Sequence, residues 1–123
     1  MASTNFILKS FNPATALASG TYVICNASGL ADVVAGLTDK AIGTVESAVS
    51  ADDVVANRAV TVRLFGPTRL AQVTGAPITA GDSLYLATGG ILTNVSITGS
   101  QYVGVALQNA AANLDQIEIA TTI

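Results

Sequence analysis

Apolar and polar residues alternate along much of this chain, with the two-residue period of a β-strand that has one buried face. In the segment 59–64, Val60, Val62 and Leu64 fall on one face, and Thr61 and Arg63 fall on the other. Residues 115–119 repeat this pattern with Ile117 and Ile119. Turn-forming residues separate five further predicted strands, at 22–26, 41–49, 69–74, 83–88 and 102–108. So many short strands predict an all-β fold, either a small β-sandwich or a barrel.

A short helical segment interrupts the strands. Ser50 is followed three positions later by Asp53, which is the spacing of a helix capping box. The adjacent carboxylates of Asp52 and Asp53 then stand at a helix start, where acidic side chains are favoured, and they need no catalytic role. We predict at most one or two short helical turns in the whole chain.

The same glycines and apolar residues recur after half the chain length. Gly20, Gly29 and Gly43 are matched by Gly81, Gly90 and Gly104, each 61 positions later. The matching apolar pairs are Leu17 and Ile78, Val23 and Leu84, Leu30 and Ile91, Val34 and Val95, and Ile42 and Val103. We interpret the pattern as a β unit that was copied and fused, with approximate repeats at 17–64 and 78–121 inside a single β domain of residues 17–123. The alternative is that any small β-protein spaces its glycines in this way.

The N-terminal segment, residues 1–16, has two interpretations. Its apolar stretch from Asn5 to Phe11 ends before Pro13. As a mobile arm, this stretch would lay a strand along the sheet edge of a partner. As an ordinary body strand, it would be the first-half counterpart of the segment near residues 69–73.

Composition adds that little of the surface is charged. Half of the 123 residues are hydrophobic, 11% are charged, and the net charge is −3. So few charges predict that much of the surface is covered by copies of the chain or by another protein. The five basic residues are scattered, which argues against nucleic acid as a partner. No apolar run is long enough to span a membrane and no export signal is present, so we expect a protein made in the cytoplasm without a membrane partner.

Residues that carry chemistry are sparse. The chain has no histidine, so the usual general base and the commonest metal ligand are both missing, and we predict no enzyme, no metal and no cofactor. The single cysteine, Cys25, lies in a predicted strand and is expected to be a small core residue. Tyr22, Tyr85 and Tyr102 are expected to be packing residues, with a stacking platform for sugars or bases as the alternative. An enzyme or ligand-binding domain would instead require a deep pocket with converging polar groups.

Segments in both halves resemble a known family. In the first half, an apolar-Gly-apolar strand at 40–45 is followed by a short acidic loop and by the alternating strand that ends at Gly66. In the second half, residues 79–86 are followed by a Gly-Gly pair and then by residues 102–107. From near Leu17 to its end, the chain resembles the head decoration, or cement, proteins of tailed bacteriophages, both the lambda-type protein and a broader group of small phage capsid proteins.

The resemblance implies a β-tulip or related sandwich fold and a structural role without catalysis. A protein of this kind binds the outside of an assembled virion capsid and stabilises it, in contact with the major capsid protein and often as a homotrimer. The chain departs from the lambda-type pattern because it lacks a long N-terminus rich in proline and histidine, which leaves open how it grips the shell. The competing function is a receptor- or glycan-binding fibre or spike module, which would show an exposed cluster of aromatic side chains.

Regions that differ between the two halves are the candidate contacts with the capsid. They are the N-terminal segment, the acidic loop and the stretch 66–76. The predicted contact residues are Asn5, Phe6, Ile7, Leu8, Phe11, Asp52, Asp53, Pro67 and Arg69.

Overall fold

The computed structural model describes residues 7–36, 39–65, 68–74, 77–96 and 99–121, and their regular secondary structure is β except for one short helix. The first half supplies β1 (Ile7–Phe11), β2 (Tyr22–Cys25), β3 (Ala31–Val33), β4 (Gly43–Val45), α1 (Ala51–Val55) and β5 (Val60–Phe65). The second half supplies β6 (Thr68–Thr74), β7 (Ser83–Leu86), β8 (Leu92–Thr93), β9 (Tyr102–Ala106) and β10 (Gln116–Thr121). The predicted all-β fold is confirmed.

Each half folds into its own sheet. In the first half, neighbouring strands run antiparallel in the order β1-β5-β4-β2-β3. In the second half, the order β10-β6-β8-β7-β9 closes into a barrel through a parallel pairing of β6 with β8. The first sheet has a smaller version of this closure. The Ala14 N–H donates to the Ala31 carbonyl at 2.8 Å, and the Ala31 N–H donates to the Asn12 carbonyl at 3.0 Å.

The two sheets correspond strand by strand. β2 and β7 begin at residues 22 and 83, at the interval of 61 positions seen in the sequence. The isolated bridge between Leu17 and Val49 recurs between Ile78 and Ala110, again 61 positions later. Below, two residues related in this way are called counterparts. These correspondences support the predicted duplication, which stays an interpretation.

The interval between counterparts changes at both ends of the repeat. Between β1 and β6 the interval is 60. Phe11 of β1 pairs with Val60 of β5, and in the same way Ala71 of β6 pairs with Ile117 of β10. After α1 it falls to 57, as the left-handed residues Asn57 (φ 60°) and Leu114 (φ 68°) show. The loop of the second half is therefore four residues shorter (61 − 57 = 4), and α1 occupies the longer first-half loop.

Two hydrophobic cores lie within the described residues. The smaller core is made by the buried first-half residues Leu17, Val23, Ala31, Val45, Val49, Val60 and Val62. The larger core fills the barrel and also takes in Tyr22, Val34 and Ala41 from the first half. Because first-half side chains complete the larger core, the two halves bury apolar surface against each other.

The predicted elements differ from the structure mainly where strands are short. The predicted strand at 41–49 is regular only over the three residues of β4, and β3 and β8 were not predicted at all. Strands of two or three residues are too short to show a period in the sequence. The helix is confirmed together with its capping box. The Asp53 N–H donates to Ser50 Oγ at 3.2 Å, and the Ser50 N–H donates to Asp53 Oδ2 at 3.0 Å.

The expectation that Cys25 lies in the core is wrong. Its side chain is exposed at the end of β2, just before the turn that leads to β3. Its counterpart Leu86 is buried in the larger core. The two strands therefore have the same position in their sheets but different surroundings.

Candidate functional site

Among the predicted contact residues that the structure describes, two on β1 have exposed apolar side chains. Ile7 is 58% exposed and Leu8 is 46% exposed. Phe11, at the other end of the strand, packs against the smaller core, and Lys9 Nζ lies 6.0 Å from the centre of its ring. β1 is thus anchored at its C-terminal end and displays apolar side chains at its N-terminal end.

β1 is also an edge strand. It lies at one end of the first sheet and pairs along its length with β5, which among the described strands is its one ladder partner. The pairing is that expected of a body strand, whereas the exposed side chains are those expected of a partner-binding arm. Asn5 and Phe6, which were also predicted to contact the capsid, lie outside the described residues.

The predicted acidic residues lie at the start of α1. Asp53 is held inside the capping box, and its Oδ1 lies 3.4 Å from Arg58 Nε. The Ser50 N–H, which donates to this carboxylate, is the main cause of a lowered pKa of Asp53. Asp52 is exposed. The local fold therefore explains Asp53 and leaves Asp52 available for a partner.

Arg69 occupies the junction between the two halves. It is only 4% exposed, and its Nη1 donates to the Arg63 carbonyl at 2.9 Å and to Thr44 Oγ1 at 3.3 Å. Its guanidinium carbon lies 5.6 Å from the centre of the Tyr22 ring, close enough for a cation–π interaction. Because Arg69 is engaged inside the molecule, we leave it out of the candidate contact surface. Pro67 lies outside the described residues.

Burial at this junction shifts two pKa values. Desolvation raises the pKa of Tyr22, and the positive charge of Arg69 opposes part of that rise. Desolvation also lowers the pKa of Arg69, and Tyr22 opposes that change. Both shifts follow mainly from burial of the ring and the guanidinium at this junction.

A cleft of about 300 Å³ opens beside this junction. It is lined from both halves, by Glu46 and Arg63 on one side and by Gln116 and Glu118 on the other. Arg63 Nε donates to Glu46 Oε1 at 2.8 Å, so the charge of each is offset by the other. In the described residues no group of three His, Cys, Asp or Glu side chains is placed to hold a metal ion. Nor does the described part of the chain contain a helix long and apolar enough to cross a membrane.

The three tyrosines do not form one platform. Tyr22 is fully buried in the larger core. Tyr85 and Tyr102 form an edge-to-face pair with ring centres 5.7 Å apart, and Tyr102 is 44% exposed. Two of the three tyrosines therefore form an aromatic pair on β7 and β9, whereas a glycan-binding module would need a cluster of exposed aromatic side chains.

Residues 2–121 match the family described as phage cement protein. The match takes in nearly the whole chain and includes both halves. The chain belongs to the phage cement protein family. As a member of that family, it is a structural protein that binds a phage capsid, as the resemblance in the sequence implied.

Two solved phage structures are similar to this cement protein in fold. One is described as the capsid of Myoviridae phage XM1, with a TM-score of 0.71 and 20% identity over 97% of this chain and 83% of that one. The other is described as the head fiber gp8.5 N base in bacteriophage phi29, with a TM-score of 0.70 and 10% identity over 96% of this chain and 95% of that one. Comparison with curated proteins gives no match.

Sequence reasoning missed the junction at the centre of the molecule. A Cβ on Gly90 would lie 1.9 Å from the Tyr22 carbonyl oxygen, so only glycine fits where the turn before β8 meets β2. The sequence does contain a signal for this turn, because the Gly89-Gly90 pair is a turn signature and Gly90 is the counterpart of Gly29. What the sequence did not show is that one of the two recurring glycines is packed and the other is exposed.

Proposed function

We propose that this cement protein binds the outer surface of an assembled phage capsid as a homotrimer, contacts the major capsid protein through β1, and has no catalytic role. Membership of the cement protein family is the observation that carries the proposal. The lack of histidine and the low fraction of charged residues fit a protein whose surface serves contacts.

The free edge of β1 suits a capsid partner that adds a strand. An edge strand has backbone N–H and C=O groups on its outer side, and a partner strand that pairs with them gains a row of hydrogen bonds. Ile7 and Leu8 add exposed apolar surface to the same strand. An exposed edge with apolar side chains is otherwise an aggregation risk, which covering by the capsid would remove.

Binding would stabilise the shell by linkage. A protein that binds the assembled shell but not the dissociated subunits raises the free energy of disassembly by its own binding free energy. A homotrimer adds to this effect, because after the first contact the second and third become intramolecular. Individually modest contacts along β1 are then sufficient to hold the protein on the capsid.

The direct test mixes the purified protein with capsids of its own phage that have been stripped of accessory proteins. We expect co-sedimentation with the capsids at micromolar concentration and a higher temperature of capsid disruption. The double variant Ile7→Ser/Leu8→Ser should bind at least about tenfold more weakly. Failure of the wild-type protein to co-sediment would overturn the proposed function.

Leu70 supplies the matched control. It lies on β6, the counterpart of β1, and is 56% exposed, so Leu70→Ser removes one apolar side chain of similar exposure from the other half, against two in the β1 variant. We expect this variant to bind like the wild type. Equal losses in Leu70→Ser and in the β1 variant would show that β1 is not the specific contact, although capsid binding itself would stand.

A further inference from the structure

The junction between the two halves is directional. The turn between β7 and β8 docks on the first half, where the Tyr22 N–H donates to the Gly90 carbonyl at 2.8 Å and the Gly89 N–H donates to the Val34 carbonyl at 2.7 Å. Tyr22 and Val34, both buried, receive this turn, and Ala41 is buried in the same core beside them. We call these three residues the filled face. One half therefore offers a turn, and the other half offers a face that receives it.

Within the described part of the chain the reciprocal contact is absent. The first half contains the counterpart turn, residues 26–29, with the same backbone bond: the Gly29 N–H donates to the Asn26 carbonyl at 2.9 Å. A Cβ on Gly29 would meet nothing within 4 Å, whereas a Cβ on its counterpart Gly90 would collide with Tyr22. We call residues 26–29 the free turn. The halves are thus arranged head to tail, since a two-fold arrangement would bury both turns equally.

The second half also carries the counterpart of the filled face. This open face consists of Ser83, Val95 and Tyr102, all of which are exposed. Val95 is 57% exposed although its counterpart Val34 is buried, and no member of the open face is charged. Each copy therefore has both a free turn and an unfilled receiving face.

The backbone of the open face has the orientation that the contact requires. The Ala106 N–H donates to the Asp82 carbonyl at 2.9 Å, which repeats the 3.0 Å bond from the Val45 N–H to the Thr21 carbonyl in the first half. The next N–H along β7, that of Ser83, then points outward in the same way as the Tyr22 N–H. It is placed to donate to the carbonyl of an incoming glycine.

We propose that copies of this chain associate head to tail, with the free turn of one copy docked on the open face of the next. The Gly29 carbonyl of the first copy accepts from the Ser83 N–H of the second, and the turn covers Val95 and Tyr102. The inference deepens the homotrimer of the proposed function, because a heterologous contact that closes on itself makes a ring in which every copy uses one free turn and one open face.

The contact between copies is weaker than the junction inside the chain. In the free turn, the Ser28 N–H already donates to Asn26 Oδ1 at 2.9 Å, whereas its counterpart, the Gly89 N–H, bonds across the junction. The contact between copies therefore has one backbone hydrogen bond fewer. We therefore expect association between copies to depend on protein concentration, whereas the two halves of one chain are docked permanently.

Sedimentation equilibrium of two single variants and their mixture tests the directionality. Val95→Arg damages the open face and leaves the free turn intact, and Ser28→Arg does the opposite. We expect each variant alone to self-associate at least about tenfold more weakly than the wild type. We expect an equimolar mixture to form a two-copy species, because one intact turn and one intact face remain. Val55→Arg on α1, at a site 87% exposed and outside both surfaces, is the matched control and should associate like the wild type.

Each other outcome overturns the inference. A wild-type protein that stays monomeric up to its solubility limit would do so, as would single variants that associate like the wild type. If both variants are monomeric and their mixture is too, the surfaces do not pair with each other. Thermal unfolding of each variant, with a midpoint near that of Val55→Arg, verifies that the variants are folded.

A disulfide supplies an independent readout. In a Cys25→Ser background, Ser28→Cys and Val95→Cys on the same chain should cross-link successive copies under mild oxidation, since their counterparts Gly89 and Val34 are joined by a 2.7 Å hydrogen bond. Ser28→Cys with Val55→Cys should not cross-link. Both experiments are done without capsids, so a failure here leaves capsid binding untouched, and a failure of co-sedimentation leaves this result untouched.

Discussion

The two halves of this protein have the same strands in the same order, yet they bury different residues. At the first position of β2, Tyr22 is fully buried, whereas its counterpart Ser83 on β7 is exposed. At the last position of the same strands the difference is reversed, since Cys25 is exposed and Leu86 is buried. The strand pattern therefore sets the fold of each half, while burial at the strand ends depends on what lies next to that half.

The largest expected effect comes from the two counterpart glycines Gly90 and Gly29, which both have φ of +79°. Gly90→Ala should destabilise the protein by at least about 3 kcal/mol, because the new Cβ would collide with the Tyr22 carbonyl as well as strain the backbone. Gly29→Ala should cost about 1–2 kcal/mol, because only the backbone is strained. Urea unfolding followed by circular dichroism measures both.

Equal losses of stability in these two alanine variants would contradict this expectation, because they would mean that Gly90 does not pack against β2. Gly43 and Gly104 serve as the control pair, because glycine is needed at this position in both halves. A Cβ at either position would lie 2.0 Å or less from a backbone oxygen of the neighbouring strand. Alanine at these two positions should therefore be similarly damaging.

The next effect concerns the buried guanidinium of Arg69. Arg69→Met should cost about 1–3 kcal/mol, because the Arg63 carbonyl and Thr44 Oγ1 lose a charged donor at the junction. Lys9 is the counterpart of Arg69 in β1 and is exposed, so Lys9→Met should change the free energy of unfolding by less than about 0.5 kcal/mol. The same denaturant titration compares the two.

An unchanged or higher stability of Arg69→Met would contradict this expectation. It would mean that relief from burying the positive charge outweighs the lost hydrogen bonds, as happens for some buried ion pairs. The junction would then depend on apolar packing around Tyr22 alone.

The fold was predictable from the sequence because strand alternation and turn glycines are local signals. Val60, Val62 and Ile117 alternate with polar residues, and the structure buries them as expected. The burial of Arg69 and the exposure of Cys25 were not predictable, because each depends on how one half meets the other. A single sequence contains the pattern of each half but no pattern for the junction between them.

The candidate contact surface on β1 and the open face differ in how far the sequence identifies them, for a related reason. Ile7 and Leu8 were identifiable as an apolar strand next to the N-terminus, and they are exposed. Val95 and Tyr102 look in sequence like ordinary strand and turn residues, and only the filled face in the first half distinguishes them. A difference between counterparts, more than the property of a single residue, identifies that surface.

A smaller change in the free energy of unfolding is expected from the loop in which the two halves differ in length. Ser50→Ala removes the Oγ that accepts from the Asp53 N–H at the start of α1, and should cost about 1 kcal/mol. Ser47→Ala, at an exposed position in the same loop, is the control and should have little effect. If the two variants are equally stable, the helix contributes nothing beyond filling the additional four residues.

The smallest effect is the pH dependence caused by Tyr22, which has no tyrosine counterpart in the second half. Its pKa is raised in the folded protein by burial, so its contribution to stability is fully present below the ordinary tyrosine pKa of about 10. It is lost as the pH rises through the folded-state value, because the unfolded chain releases this proton more easily. Wild-type stability should therefore fall above about pH 10 more steeply than that of Tyr22→Phe. Parallel alkaline curves for the wild type and Tyr22→Phe would show that water reaches the Tyr22 hydroxyl, and hence that the junction between the halves opens more readily than its packing implies.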